Sequence, residues 1–338
     1  MKTPQHTVTR TSKAAKIAAI IGVITFVILA TGPYWAGRAD MRLMSEIFLY
    51  LALASLWNLM AGYAGLVSVG QQAFVGFGGY MLFGLTIFGG LSPVVAIAGA
   101  GVLGALISMP VALLIFRLRG AYFAIGTWVM AEVFRLSFAQ VSALGGGSGT
   151  SLPTDIVRSM ADGRSAREAL SYWLALGVAI LVITAVYLFL RSRNGLALTA
   201  IRDNELAAGS LGIDIRRIKF SVYIVTAALT SMVGALIFLQ KLRISPDAAF
   251  SVNDWTAFVI FIVVIGGIGT LEGPIIGTLI FFALRETLAD LGTVYLMVLG
   301  AVAIIIMLKA PKGLWGLIKA RFDIELFPLS YRVKQDRE

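Results

Sequence analysis

The sequence has no cysteine and a single histidine, and charged residues make up only 14% of its 338 positions. Without cysteine there can be no disulfide, thiolate metal site or cysteine nucleophile. The histidine, His6, lies in the N-terminal tail, so a Ser-His-Asp triad or a histidine-ligated metal lacks its material. No catalytic residue, metal ligand or cofactor is expected. Nor does Gly-x-x-x-x-Gly-Lys-Ser/Thr occur anywhere, so any ATP must be hydrolysed by another chain. Charge is missing altogether from residues 47–116, a stretch with room for roughly three bilayer crossings of about 20 residues each.

What is present is apolar. Hydrophobic residues make up 58% of the chain and the mean hydropathy is +0.87, a balance that a water-soluble core of this size does not need. The expected fold is all-α: a polytopic protein surrounded by lipid bilayer, with about ten transmembrane helices. They are placed at 17–36, 46–62, 66–89, 93–116, 119–140, 171–190, 219–239, 255–268, 273–288 and 291–308. The basic start ahead of residue 17 resembles a signal peptide, but the uncharged run continues to Gly37 without a clear cleavage site, which favours a retained span. Residues 1–16 and 311–338 are then tails on either side of a transmembrane domain, 17–310. Both termini fall on one side, together with most of the 28 Lys and Arg residues, and the positive-inside rule puts that side in the cytoplasm. The net charge of +10 is accounted for by this asymmetry, and no nucleic-acid partner is expected.

Glycine punctuates the chain. Ala100, Gly104 and Ser108 repeat at spacing four, a device for close helix packing. Gly145, Gly146, Gly147 and Gly149 open a loop assigned to the outer side; with no Lys-Ser or Lys-Thr behind them, they read as a flexible loop rather than a phosphate cradle. Residues 255–284 carry Glu272 as their only charge and are interrupted by Gly266, Gly267, Gly269, Gly273 and Pro274, a pattern expected to fold back as two short helices. Such broken elements also place polar backbone beside a solute path, so Gly266, Gly267 and Gly269 are candidates for one.

Three polar features stand out against this background. Ser68, Gln71 and Gln72 share one helix face in an otherwise apolar block, either as interhelical hydrogen bonds or as the lining of a conduit. Glu132 and Arg135 are spaced for an ion pair, structural in one reading and proton-coupling in the other. The third is a polar island, 191–218, between two apolar stretches. Its composition fits a short surface helix closed by glycine, with small alanines that let a partner approach closely.

At three places the residues resemble a known family. Gly65-Leu-Val-Ser-Val-Gly-Gln-Gln-Ala-Phe-Val-Gly-Phe-Gly-Gly-Tyr80 is similar to the signature of the membrane permeases of bacterial branched-chain amino acid ABC importers. Ala200-Ile-Arg-Asp-Asn-Glu-Leu-Ala-Ala-Gly-Ser-Leu-Gly-Ile213 resembles their ATPase-contacting loop, and Ile265-Gly-Gly-Ile-Gly-Thr-Leu-Glu-Gly-Pro-Ile-Ile-Gly277 their late glycine-rich hairpin. Order and spacing match the longer, M-type subunit; Gln71 and Gln72 depart from the small residue or histidine expected in many relatives.

The resemblance implies a translocation subunit in the bacterial inner membrane. Its partners would be ATP-binding subunits, a second homologous permease and a periplasmic solute-binding protein. Arg202, Asp203, Glu205, Ala207, Ala208 and Gly212 would form the coupling helix seated on the ATPase, the alanines allowing close seating and the charges setting register. An importer for urea or another small polar solute would keep every motif. A secondary transporter would make Glu132 and Arg135 essential, and a channel would conduct without ATP.

Overall fold

In the computed structural model, residues 6–9, 13–288, 294–310, 312–322, 326–327 and 332–335 are described. Nearly all of them are helical. In chain order the main helices are α1 (Lys13–Ala30), α2 (Arg38–Asn58), α3 (Gln71–Ile87), α4 (Pro93–Ile115), α5 (Ala121–Ala139), α6 (Arg164–Arg191), α7 (Arg193–Asp203), α8 (Glu205–Ser210), α9 (Ile215–Lys241), α10 (Phe258–Gly266), α11 (Glu272–Leu288), α12 (Val294–Lys309) and α13 (Gly313–Phe322). One wide turn of π-helix, Leu59–Tyr63, extends α2, and another, Asn253–Ala257, leads into α10. Two short antiparallel ladders depart from the all-α expectation: His6–Thr9 pairs with Arg332–Gln335, and Thr150–Ser151 with Arg243–Ile244.

Six helical stretches among the described residues are long and apolar enough to cross a membrane: Arg38–Tyr63, Pro93–Ile115, Arg164–Arg191, Ile215–Lys241, Pro246–Gly266 and Val294–Phe322. Ile17–Ala30 is a shorter apolar helix, while α3 and α11 have 17 residues each. At about 1.5 Å per residue, 17 residues reach about 26 Å, short of a full hydrocarbon core. Residues 291–293 of the last expected span lie outside the described residues.

Elements end where the sequence supplies a reason. Pro93 opens α4 at a position whose N–H needs no helical partner. The span expected at 46–62 starts earlier, at Arg38, where Asp40 accepts from the Gly37 N–H at 3.1 Å and fixes the first turn. The span expected to open at residue 66 begins instead at Gln71, because residues 64–70 are not helical.

The core is built around α9, which is packed by α2, α3 and α4. Ala100, Gly104 and Ser108 are buried on the α4 face turned to α9, and a methyl group at Gly104 would strike the Ser231 side chain. Against α3 the approach is closer still: a Cβ on Gly78 would overlap the Ser231 carbonyl, and one on Gly234 the Val75 carbonyl. In lipid, where the hydrophobic effect between spans is weak, such backbone proximity is a main source of helix association. Tyr80 stacks on Phe138 with ring centroids 4.5 Å apart, joining α3 to α5. Arg285 of α11 donates to both Glu46 oxygens of α2, at 2.6 and 3.3 Å, and ties the hairpin to that helix.

Candidate functional site

The polar island folds as two helices rather than one. Asn204 interrupts it: its Oδ1 accepts from the Ala207 N–H at 3.0 Å, so the residue ends α7 and caps α8. Ser192 caps α7 in the same way through the Gly195 N–H, and Asp214 caps α9 through the Arg217 N–H at 3.1 Å. Gly212, at φ +79°, closes the pair as a left-handed turn.

Charge and packing hold these helices to the body of the protein. Glu205 meets the Lys219 ammonium at 2.9 Å, linking α8 to the start of α9. Leu198, Ile201 and Ala208 are buried, so Ala208 turns toward the chain itself and anchors α8, while Ala207 is exposed. The outward surface belongs to residues that the sequence reading passed over: Leu206 is 86% exposed, Leu211 80% and Leu196 75%. Their signal was present as leucines inside a polar segment, but only the fold shows which of them point away from the core. Asp203 pairs with the neighbouring Arg202 at 3.4 Å.

Arg202 carries the island to the membrane-embedded part. Its guanidinium lies 5.9 Å from the ring centroid of Tyr63, in the wide turn after α2, and it flanks Gly269 at the tip of the α10–α11 hairpin. Gly267 at φ +130° and Gly269 at φ +75° make a turn that L side chains enter only with strain. Asn58 clamps the tip, its Oδ1 accepting from the Gly269 N–H at 2.8 Å and its Nδ2 donating to the Thr270 carbonyl at 2.7 Å. A Cβ on Gly266 would overlap the Gly273 carbonyl, so that glycine lets α10 and α11 meet. Glu272, which is buried, accepts from the Leu326 and Phe327 N–H groups at 3.2 and 3.1 Å.

Ser68, Gln71 and Gln72 occupy a different place, inside the bundle. Residues 64–70 are non-helical, and partners from other elements satisfy their backbone: the Trp57 Nε1–H donates to the Ser68 carbonyl at 2.8 Å, and the Val69 N–H donates to Thr127 Oγ1 at 3.0 Å. Irregular backbone is tolerated at such depth only when protein satisfies it. α3 therefore starts beside Leu53, well within the span Arg38–Tyr63, and the Gln71 Nε2 donates to the Leu53 carbonyl at 3.0 Å. Gln72 is bonded twice to Thr256: its Oε1 accepts from the hydroxyl, and its N–H donates back at 3.3 Å. Gln71 Oε1 is buried with no hydrogen-bond partner. Beside it, among Ser68, Phe74, Thr226 and Thr230, is a space of about 20 Å³, enough for about one water.

The six candidate path residues thus divide into two groups: Ser68, Gln71 and Gln72 within the bundle, and Gly266, Gly267 and Gly269 at the α7–α8 end. Glu132 and Arg135 belong to neither. Arg135 bonds Glu132 and also reaches Asp247 at 2.8 Å, tying α5 to the short helix Pro246–Ala249 on the side away from α7. Among the described residues no cluster of three or more His, Cys, Asp or Glu is placed to hold a metal ion.

The family model described as branched-chain amino acid transport system / permease component matches residues 40–308. Over 325 residues, 90% of this chain and 76% of the relative, the sequence is 25% identical to the high-affinity branched-chain amino acid transport system permease protein LivM of Escherichia coli K12. It is 28% identical over 188 residues, 55% of this chain and 52% of the relative, to the probable permease LivM of Methanocaldococcus jannaschii. To the E. coli K12 permease LivH it is 31% identical over 150 residues, covering 43% of this chain and 46% of that protein. The match to the family model runs from α2 to α12 and takes in the capped island, the glycine hairpin and the broken entry to α3. This chain belongs to the permease components of branched-chain amino acid transport systems and is of the M type.

Proposed function

We propose that this chain is one of two membrane-spanning subunits of an ATP-driven importer for branched-chain amino acids in the bacterial inner membrane. Its other partners are a second, homologous permease, ATP-binding subunits in the cytoplasm and a periplasmic binding protein that delivers the solute. Similarity to both LivM and LivH supports a paired homologue, since permeases of one ancestry match along a shared bundle. About ten crossings follow if the six long spans are joined by α1, by α3 with its lead-in, by α5 and by α11. The ladder between His6–Thr9 and Arg332–Gln335 supports termini on one side, and the basic residues support the cytoplasm as that side.

One observation carries the coupling role: α8 and its C-cap expose Leu206 and Leu211, while Glu205 ties the helix to α9 and Ala208 is buried. An apolar projection on a rigid, anchored base is suited to insert into a cleft of a partner and to transmit its movement. The motion passes from α8 into α9 directly, and from α7 through Arg202 to the α2 turn and the hairpin tip. Ser68, Gln71 and Gln72, closed over in this conformation, are assigned to the path that opens when the bundle rearranges.

Leu206→Asp tests this. It touches no core residue, so the subunit should insert normally, yet ATP-driven leucine uptake should fall more than about tenfold through loss of the apolar anchor. Co-purification with the ATP-binding subunit should fail in parallel. Uptake at the wild-type rate would remove α8 from the coupling role.

A further inference from the structure

A cavity lies at the far end from α7 and α8, where α2 and α6 begin and α9 ends. It encloses about 620 Å³, well within the range of small-molecule sites, and has a mixed wall. Five cations face it, but most are engaged. Glu168 draws Arg38 to 3.3 Å, Arg42 to 3.8 Å and Arg164 to 3.1 Å, and Arg167 donates to the Ala161 carbonyl at 3.3 Å.

Lys241 is different. Its ammonium rests 4.6 Å from the ring centroid of Trp255, and no carboxylate of the described residues lies within ion-pair distance of it. Glu46 faces the same cavity but is held by Arg285 at 2.6 Å. Beside the ammonium, Leu49, Tyr50 and Trp255 form an apolar wall. The cavity therefore presents, next to an apolar surface, an ammonium with no ion pair at contact distance, on which Asp254 and Glu46 act only from farther off, and the arginines around it outnumber the carboxylates that face the cavity.

We infer that this cavity is the receiving site for the solute on the side where the binding protein docks: it takes a small amino acid with its carboxylate on the Lys241 ammonium and its apolar side chain against Leu49, Tyr50 and Trp255. The inference rests on the importer reading above and adds to it a site in this subunit that selects for a carboxylate. A charge-assisted bond from an ammonium already partly desolvated by an aromatic face is stronger than the same bond in water.

The absence of cysteine gives the test a clean label, because Ser171→Cys places this chain's single thiol on the cavity wall. The assembled importer in right-side-out vesicles is treated with a membrane-impermeant anionic methanethiosulfonate, and modification of this chain is timed. Leucine should slow the modification, whereas 3-methylbutylamine, which has the same side chain without a carboxylate, should not. In a Lys241→Met background the leucine concentration for half protection should rise about tenfold, and Lys241→Arg should restore it.

Equal protection by leucine and by the amine overturns the carboxylate assignment in the unaltered Lys241 protein, whatever the fate of the Lys241 variants. Modification indifferent to leucine, in vesicles that still import leucine on ATP, overturns the cavity while leaving the importer reading intact. Vesicles that show carboxylate-dependent protection but no ATP-driven uptake uphold the cavity and sink the importer reading.

Discussion

The α7–α8 island and the broken entry to α3 are opposites in how they treat polarity. In the island, polar residues are spent on caps and ties, and leucines are left in the open: Asn204, Ser192 and Asp214 each satisfy a helix end, while Leu206 and Leu211 have no cover. At residues 64–72 the apolar groups other than Val67 pack, and a polar atom, Gln71 Oε1, has no partner. An apolar residue with no cover in water points to a protein partner, and a polar atom with no partner in a bilayer core points to something that visits. In both places the unsatisfied group is the one of the wrong polarity for its surroundings.

The largest effect that can break this comparison is at Glu205. Glu205→Lys sets two ammonium groups together where one ion pair now stands, and α8, six residues long with Ala208 as its buried anchor, should lift from α9. An exposed pair of this kind contributes only about 0–1 kcal/mol to folding, so insertion and stability should hold. Leucine uptake should drop more than about tenfold while the ATP-binding subunits continue to hydrolyse ATP, because the lever has lost its register. Simultaneous assays of uptake and ATPase decide it; coupled, wild-type transport by this variant would falsify the lever.

How much of this was legible beforehand differs between the two regions for a physical reason. The island's position, its glycine end and Arg202, Asp203 and Glu205 could all be read, since caps and charges act locally. Its division at Asn204 was missed because an asparagine serves equally as an interior residue or a cap until tertiary contacts choose. Ala208 was read as a seating residue, yet it faces inward: alanine suits close approach to a partner and to one's own chain alike. The hairpin at 266–273 was legible from its glycines. That its tip stacks under Arg202, rather than beside Gln71, was not, because Asn58 and Gly269 are far apart in sequence and no local pattern links them.

At residues 64–72 the sequence left packing and path open, and the two glutamines should separate them. The Gln72 Oε1 accepts from the Thr256 hydroxyl, so Gln72→Leu removes that bond, keeps the one from its backbone N–H, and leaves the buried hydroxyl proton without this acceptor, a cost of about 1–3 kcal/mol that should appear as a lower unfolding temperature in detergent. Gln71 gives up one bond to the Leu53 carbonyl, while its oxygen bonds to nothing. Gln71→Leu should therefore cost less stability than Gln72→Leu but change leucine uptake more. If both variants lose stability and neither alters uptake per folded molecule, the whole segment is packing and the path lies elsewhere.

The smallest effect is expected where a charge pair tempts a mechanistic reading. Glu132 and Arg135 would be essential to a proton-coupled carrier, but Glu132 is 48% exposed and Arg135 spends a second contact on Asp247. A relay carboxylate belongs inside the bundle or along a water-filled path through it, and this one sits on the side of the protein away from α7. Glu132→Gln keeps the shape, loses a surface ion pair of about 0–1 kcal/mol, and leaves Arg135 with Asp247. Uptake driven by ATP should stay within about twofold of wild type, with the same dependence on external pH. A collapse of uptake that follows the proton gradient instead of ATP would move the source of energy from a partner protein into this chain. The exposed leucines of the island would then be left without a motor to touch.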